Sequence, residues 1–434
     1  MLKMKTRLFV SFWLIGILVT HAQIFDKKYF NEVLDTLTSN SFAGRGYVED
    51  GMNKAGDYLQ NEFKKNGLKS FSDNYAQSFT FPINIIKNAT LKIDGKELKY
   101  GTDFIVKPSS RSVSESKMAF YTLNTKEYLE SFQSKEKTKN FIIKDDKLQK
   151  AKNIILPPLA TEVDSIKKYY KQWANIYEKN EPENRAIFRF TSDKLTSSLS
   201  QRQSTISEFI ISDKYYSKNM KMNDFSIKTE LNPSFLAKNI IGYLDGKNND
   251  SIVVISAHYD HLGKVGTTIF PGASDNASGT AMLMSLIKYY SENKPEYKTV
   301  FMAFAGEEAG ILGADYYVNH PFFDLKQIKF LVNLDIMGAG DQGIQVVNGK
   351  NFQKKYNDLV KINSNNNYLK EVKIRGESCN SDHCPFYMKG VPSFFIYTLG
   401  GKGYYHDPND KVENLNLDYS SKVFNLLKDF INSL

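Results

Sequence analysis

From Leu236 to the C-terminus, short apolar runs alternate with amphipathic stretches, and this alternation restricts the fold more than any other feature of the chain. Strand-like runs fall at 236–246, 252–257, 299–305, 329–334 and 393–397. Helical patterns lie between or after them, at 278–291, 311–318, 352–364 and 418–433. Ile252, Val253, Val254 and Ile255 form an unbroken β-branched run, the mark of a strand covered on both faces. Strands that alternate with helices in this way make a largely parallel sheet with helices on both sides. The expected class is therefore α/β, three-layered, with a mostly parallel mixed central sheet.

Polar residues without a structural duty collect where these strands end. His258 and Asp260 follow the first buried run, and Asp275 follows in the loop PGASDNASG. Glu307 and Glu308 end VFMAFAGEEAG, Asp335 ends FLVNLDIMG, and His406 stands in the Gly-rich GYYHDPND. Singly, each has an ordinary account: an Asp at a strand end often forms a turn or caps a helix, and a Glu pair suits a helix start. Together they are imidazoles and carboxylates that parallel strands deliver to one edge of the sheet, where α/β folds place their ligands. Borderline divalent cations such as zinc take this mixture of nitrogen and oxygen donors. Five ligands exceed the three protein ligands usual for one open catalytic zinc and suit two ions sharing a carboxylate, with one Glu left as a base. The His258-x-Asp260 spacing suggests a carboxylate that orients a metal-bound imidazole.

The rest of the chain supplies the frame. Met52, Ala55, Tyr58, Leu59 and Phe63 recur at helical spacing over 51–65, before Gly67 as a cap. Between 81 and 234 the text turns rich in Lys, Ser, Thr and Tyr, holds no histidine, and carries strand-like runs at 140–143 and 209–211 and a helical stretch at 163–179. This segment reads as an inserted or accessory domain with a structural or substrate-gating role. The division is 1–22 signal peptide, 23–80 with 235–434 catalytic, and 81–234 accessory. Lys3, Lys5 and Arg7 precede the apolar run 8–19, and Thr20-His21-Ala22 offers a cut before Gln23, the three-part pattern of an export signal, with an uncleaved anchor as the alternative. No later run is long enough to span a bilayer, so the expectation is a secreted or periplasmic protein without stable membrane insertion after signal cleavage. The formal net charge is +9, but its lysines are dispersed and no basic-aromatic patch marks a nucleic-acid partner. Cys379 and Cys384, the two cysteines, are close enough for a local disulfide in an oxidising compartment; zinc binding with His383 is the alternative.

SAHYDHLG, PGASDNASG, AFAGEEAGILGA, NLDIMG and GYYHDPND, in this order, resemble the motifs of the secreted di-zinc aminopeptidase family. Its relatives include glutamate carboxypeptidases, transferrin receptors and glutaminyl cyclases. The resemblance covers 236–434 and the early helix. It implies His258 and Asp335 as terminal ligands of one zinc, Glu308 and His406 of the other, and Asp275 as the bridge. It also implies Glu307 as general acid/base and Asp260 as partner of the His258 ring. The family often inserts a protease-associated, β-rich domain where 81–234 lies. Ser274 departs from the pattern, since many relatives have an acid there, at a position that is not a ligand. The resemblance implies two zinc ions and peptide substrates with a free N-terminus. A carboxypeptidase or dipeptidase on the same scaffold, a glutaminyl cyclase, and a receptor-like relative that has lost its metals are the alternatives. His320 is expected at the surface, His383 in a supporting role, and His261 has no assigned duty.

Overall fold

The computed structural model describes residues 25–434 except 73, 117–118, 125–128, 160, 162 and 179–184; the segment 1–22, expected to be an export signal, lies outside the described residues. The strand Asn248–His258 sits in the middle of an eleven-stranded mixed sheet. It is parallel to Tyr297–Phe304 on one side and to Ile328–Leu334 on the other, and Ser393–Leu399 continues the parallel set. Beyond Ser393–Leu399 run Gly343–Val347, antiparallel to it, and Val372–Ile374 at the edge. On the other flank, the long strands Met222–Leu244 and Ala76–Ile93 are antiparallel.

The two faces of the central strand belong to two different cores, as a period of two requires. Val253, Ile255 and Ala257 pack with the helix Gly279–Glu292 and the C-terminal helix Ser420–Asn432. Ile252 and Val254 pack on the opposite face with Ala314 and Tyr317 of the helix Leu312–Asn319 and with Phe386. Three layers result, and the central strand is buried on both faces from Ile252 to His258.

A second sheet of five strands is built from segments between Phe104 and Ser212. The helices Lys135–Lys144, Asp164–Lys171 and Trp173–Glu178 cover one of its faces, around the fully buried Trp173 and Tyr177. The long strands Ala76–Ile93 and Met222–Leu244 belong to the main sheet at one end, and at the other their Leu91, Ile93, Phe225 and Ile227 share a core with the second sheet's Phe188 and Phe209. The strand expected at 140–143 is instead part of the helix Lys135–Lys144, where the Ser134 hydroxyl caps the N-terminus by accepting from the Lys137 N–H at 3.1 Å. A short apolar run carries no period by which strand and helix could be told apart, and the cap decides it. Gly343–Val347 and Val372–Ile374 are strands that the alternation did not single out; five and three residues long, they are too short to show a pattern. Among the described residues no helix is long and apolar enough to cross a membrane.

Candidate metal centre

His258 is the last residue of its strand, Asp335 follows the end of the neighbouring strand, and the Glu307–Glu308 pair follows the other neighbour after a turn at Gly306. Parallel pairing places these ends side by side, because the registers Ala257–Ala303 and Ser256–Asn333 are level across the sheet. His258 Nε2 lies 3.3 Å from Asp335 Oδ1 and 3.4 Å from Asp275 Oδ1. Asp275 turns its other oxygen, Oδ2, to His406 Nε2 at 3.3 Å, and His406 Nε2 lies 3.0 Å from Glu308 Oε2. Glu307 Oε2 stands 3.9 Å from His258 Nε2, on the same side of the cluster. One carboxylate thus lies between two imidazoles, each accompanied by one further carboxylate.

Asp260 is fully buried and reaches the glutamate pair: its Oδ1 accepts from the Glu307 N–H at 3.1 Å and its Oδ2 from the Glu308 N–H at 3.3 Å. Its contact with the His258 ring is closer through the backbone, with the carbonyl 3.2 Å from Nδ1 against 3.7 Å for the carboxylate. A carbonyl only accepts, so His258 carries its proton on Nδ1 and turns a lone pair at Nε2 toward Asp275 and Asp335. His406 is held alike, its Nδ1 donating to the Ser197 carbonyl at 2.8 Å.

Four further residues without a ligand role in the sequence reading complete the cluster. Asp410, quoted within GYYHDPND, accepts the Ser274 and Asp275 N–H groups at 2.8 and 3.0 Å and so fixes the loop that carries Asp275. His261 Nδ1 lies 2.5 Å from Glu308 Oε1. Ser381 donates to Asp335 Oδ2 at 2.9 Å, and its loop is closed by the disulfide Cys379–Cys384. Arg45, wholly buried, donates to the carbonyls of Leu37, Tyr259, Pro271 and Gly272 and, at 3.4 Å, Asp275. It ties the N-terminal segment to the loops on both sides of the cluster. The neighbouring Gly44, at φ +66°, comes so near that a Cβ there would lie 2.4 Å from the Gly263 and Phe270 carbonyl oxygens. An Arg in a run of small residues was the available signal, but nothing local tells a buried guanidinium from a solvated one. His320 is exposed and stacks on Tyr316, and His383 is buried with Nε2 against the Ser378 carbonyl at 2.9 Å.

So many buried acids shift one another. Burial, reinforced by Asp382, Glu308 and Asp335, pushes the Glu307 carboxyl well up against the opposing pull of His258. Burial and Asp275 act the same way on Glu308, but His406 and His261 outweigh them and hold it at about 2. Burial opposes the charged form of His406, yet Glu308 and Asp275 raise it to about 11. Such a cluster needs concentrated positive charge. Among the described residues, His406 Nε2 and Asp335 Oδ1 are buried without a hydrogen-bond partner, and the facing atoms of His258, Asp275 and Asp335 lie within 4.8 Å of one another, as do those of His261, Asp275 and Glu308. This nitrogen and oxygen donor set fits divalent zinc.

Fold and site together define a class: an α/β scaffold with a buried imidazole–carboxylate centre at the ends of its parallel strands, suited to divalent metal. Residues 239–431 match the model of Peptidase family M28. The curated aminopeptidase YwaD of Bacillus subtilis (strain 168) is 30% identical over 195 residues, 41% of this chain and 40% of the relative. The vacuolar membrane protease of Saccharomyces cerevisiae (strain YJM789) is 28% identical over 193 residues, 44% of this chain and 18% of the relative. The matched stretch is thus less than half the length of these curated relatives. Among solved structures, a zinc aminopeptidase from Bacillus subtilis superposes with a TM-score of 0.67 at 18% identity, covering 94% of this chain and 95% of that one. An aminopeptidase from an Aneurinibacillus species, strain AM-1, gives 0.63 at 17% identity, with 94% of each chain covered. At that identity the likeness is one of fold, and it runs through both sheets.

Proposed function

We propose that this protein is an exported metallo-aminopeptidase that removes N-terminal residues from peptides, with two zinc ions sharing Asp275. The observation that carries the reading is the division of the Asp275 oxygens between His258 and His406, with Asp335 and Glu308 completing the two halves. The curated relatives support peptide hydrolysis, and the basic start and apolar run of 1–22 support export. Two bound divalent ions would supply an acidified water and polarise the scissile carbonyl.

The remaining work falls to side chains of this chain. Glu307 holds its carboxylate beside the cluster, where it takes a proton from the attacking water and returns it to the leaving amine. Asp260 keeps Glu307 and Glu308 at their stations through their backbone N–H groups. A cavity of about 180 Å³ opens on Asp275, Glu307 and Asp335, walled by Ile336, Phe395, Tyr397 and Tyr405. The apolar part of that wall suits the side chain of the residue being removed, and water leaves as that side chain enters.

Arg375 lies in the same wall and favours a second reading, a carboxypeptidase or dipeptidase in which it takes the substrate's terminal carboxylate. Hydrolysis of free-amine peptides beside their N-acetylated forms separates the two. Preference for the free amine supports the aminopeptidase; equal or better turnover of acetylated peptides with a free carboxylate supports the other. Glu307→Gln is expected to keep both ions and lose on the order of 10²–10⁴ in kcat. Full activity in that variant would remove Glu307 from the reaction.

A further inference from the structure

The two halves of the centre are supported differently. His258 is oriented from within its own loop, by the Asp260 carbonyl, and Asp335 by Ser381 of the same domain. His406 is oriented from outside, by the carbonyl of Ser197. Ser197 lies in 192–205, the connection between the parallel strands Arg185–Thr191 and Ile206–Ser212 of the second sheet. Parallel neighbours are normally joined by a helix packed on their own sheet. This connection instead leaves its sheet without regular structure and lies across the loops of the metal centre.

Its bonds there are specific. Ser197 donates its N–H to the His406 carbonyl at 3.3 Å and accepts from the ring of the same residue, so that both backbone and side chain are held. Lys194 Nζ donates to the Gly403 carbonyl at 2.8 Å, three residues before His406. Gln201 Nε2 donates to the Ala309 carbonyl at 2.9 Å, one residue after Glu308. Ser200 accepts from the Asn84 N–H at 2.8 Å, which anchors the far end on the long strand Ala76–Ile93. Among the described residues, no hydrogen bond of 192–205 reaches His258, Asp335 or Ser381. His406 itself stands at φ 52°, a left-handed conformation that a non-glycine residue keeps only when its surroundings enforce it.

We propose that residues 192–205 are a strap by which the second sheet completes the Glu308–His406 half of the centre, so that one metal ion depends on the docking of that sheet and the other does not. The inference rests on the two-ion reading. The Ser197 carbonyl compels the His406 proton onto Nδ1 and leaves Nε2 as the donor atom, the way ligand imidazoles are usually tuned. With the strap displaced, the ring is free to rotate and to change tautomer, and the loop carrying Glu308 loses its Gln201 tether. Ser197 and its neighbours are positioning residues; none of them touches an ion or a reacting atom.

The test is metal binding by the full chain, stripped with a chelator and titrated with zinc or with cobalt(II), whose absorption reports each coordination sphere. Three variants are compared with the parent chain: 194–201 replaced by a Gly-Ser segment of equal length, Lys194→Ala with Gln201→Ala, and Ser381→Ala. The parent is expected to take two ions. Loosening the strap is expected to weaken one of them about 10–100-fold and leave the other unchanged. Ser381→Ala is expected to weaken the opposite ion, so that combining it with the strap variant weakens both. Equal weakening of both ions by the strap variants alone, or no change in a chain whose circular dichroism and melting are preserved, overturns the proposal. Should the Gly-Ser replacement not fold, the Lys194/Gln201 variant decides by the same criterion. A parent chain that binds two ions while the strap variants show no selectivity refutes the strap alone; a parent chain that binds none refutes the two-ion reading with it.

Discussion

Asp260 accepts the backbone N–H of Glu307 at 3.1 Å, and with its other oxygen that of Glu308 at 3.3 Å. One carboxylate at the end of the central strand thereby sets the height of the turn that follows the neighbouring strand. Asp260→Ala removes the acceptor from two part-buried N–H groups, and each unsatisfied group costs about 1–3 kcal/mol. The expected outcome is a fall in stability on the order of 3 kcal/mol, read from the urea midpoint, with kcat falling while KM changes little. An unchanged midpoint would mean that the turn is held by something else.

Asp275 stands between both imidazoles. Asp275→Asn keeps its volume and hydrogen-bonding size but withdraws the charge and one oxygen acceptor from the bridge. We expect the metal content of purified protein to fall from two ions to one or none, and peptidase activity to fall at least a hundredfold, in the range seen when charge stabilisation is lost. Retention of two ions at parental affinity would show that the carboxylate is not shared.

Arg45 satisfies buried backbone carbonyls on three separate segments. Burial pulls its guanidinium down to about 10, with Asp410, Asp275, Asp260 and Glu308 resisting, so it stays charged at neutral pH. Arg45→Met leaves those carbonyls without donors and should destabilise by roughly 3–5 kcal/mol, the cost of breaking a buried charged network. Arg45→Lys keeps the charge but not the planar fork, and is expected to recover less than half of that loss in denaturant unfolding. Full recovery by Lys would show that charge, not geometry, is what the site needs.

His383 supplies a pH signature. Burial lowers its imidazole to about 4, with weaker upward pulls from backbone hydrogen bonds to Ser378 and Ser381, whereas the unfolded chain titrates near 6.5. The unfolded state therefore binds a proton first as pH falls, and stability is lost from about pH 6.5 downward until the folded form also protonates near pH 4. Over that window the loss attributable to this group is about 3 kcal/mol. His383→Gln should flatten the dependence of the urea midpoint on pH between those limits. A slope unchanged by the substitution would assign the acid sensitivity to the carboxylate cluster instead.

How much of this was legible in the chain depends on whether an element has a period or a partner. The parallel strands and long helices after Leu236 were readable because each is apolar on a repeat long enough to count. The run at 140–143 was not, since three apolar residues serve a helix and a strand equally, and the helix came from a cap several residues earlier. The strand Gly343–Val347, antiparallel in an otherwise parallel neighbourhood, left no mark at all.

The five candidate ligands were readable as residues that strand ends bring to one edge, within a stretch that matches the model of Peptidase family M28. Their supports were not readable. Asp410, Arg45, Ser381 and Ser197 act through atoms that only the closed fold brings near, and two of them come from regions without a recognisable motif. Local sequence determines which side chains stand at the end of a strand, because periodicity and strand direction are short-range properties. The proton on His406 is decided by a carbonyl 209 residues earlier in the chain, and a backbone carbonyl is present at every residue, so only the tertiary structure selects that one.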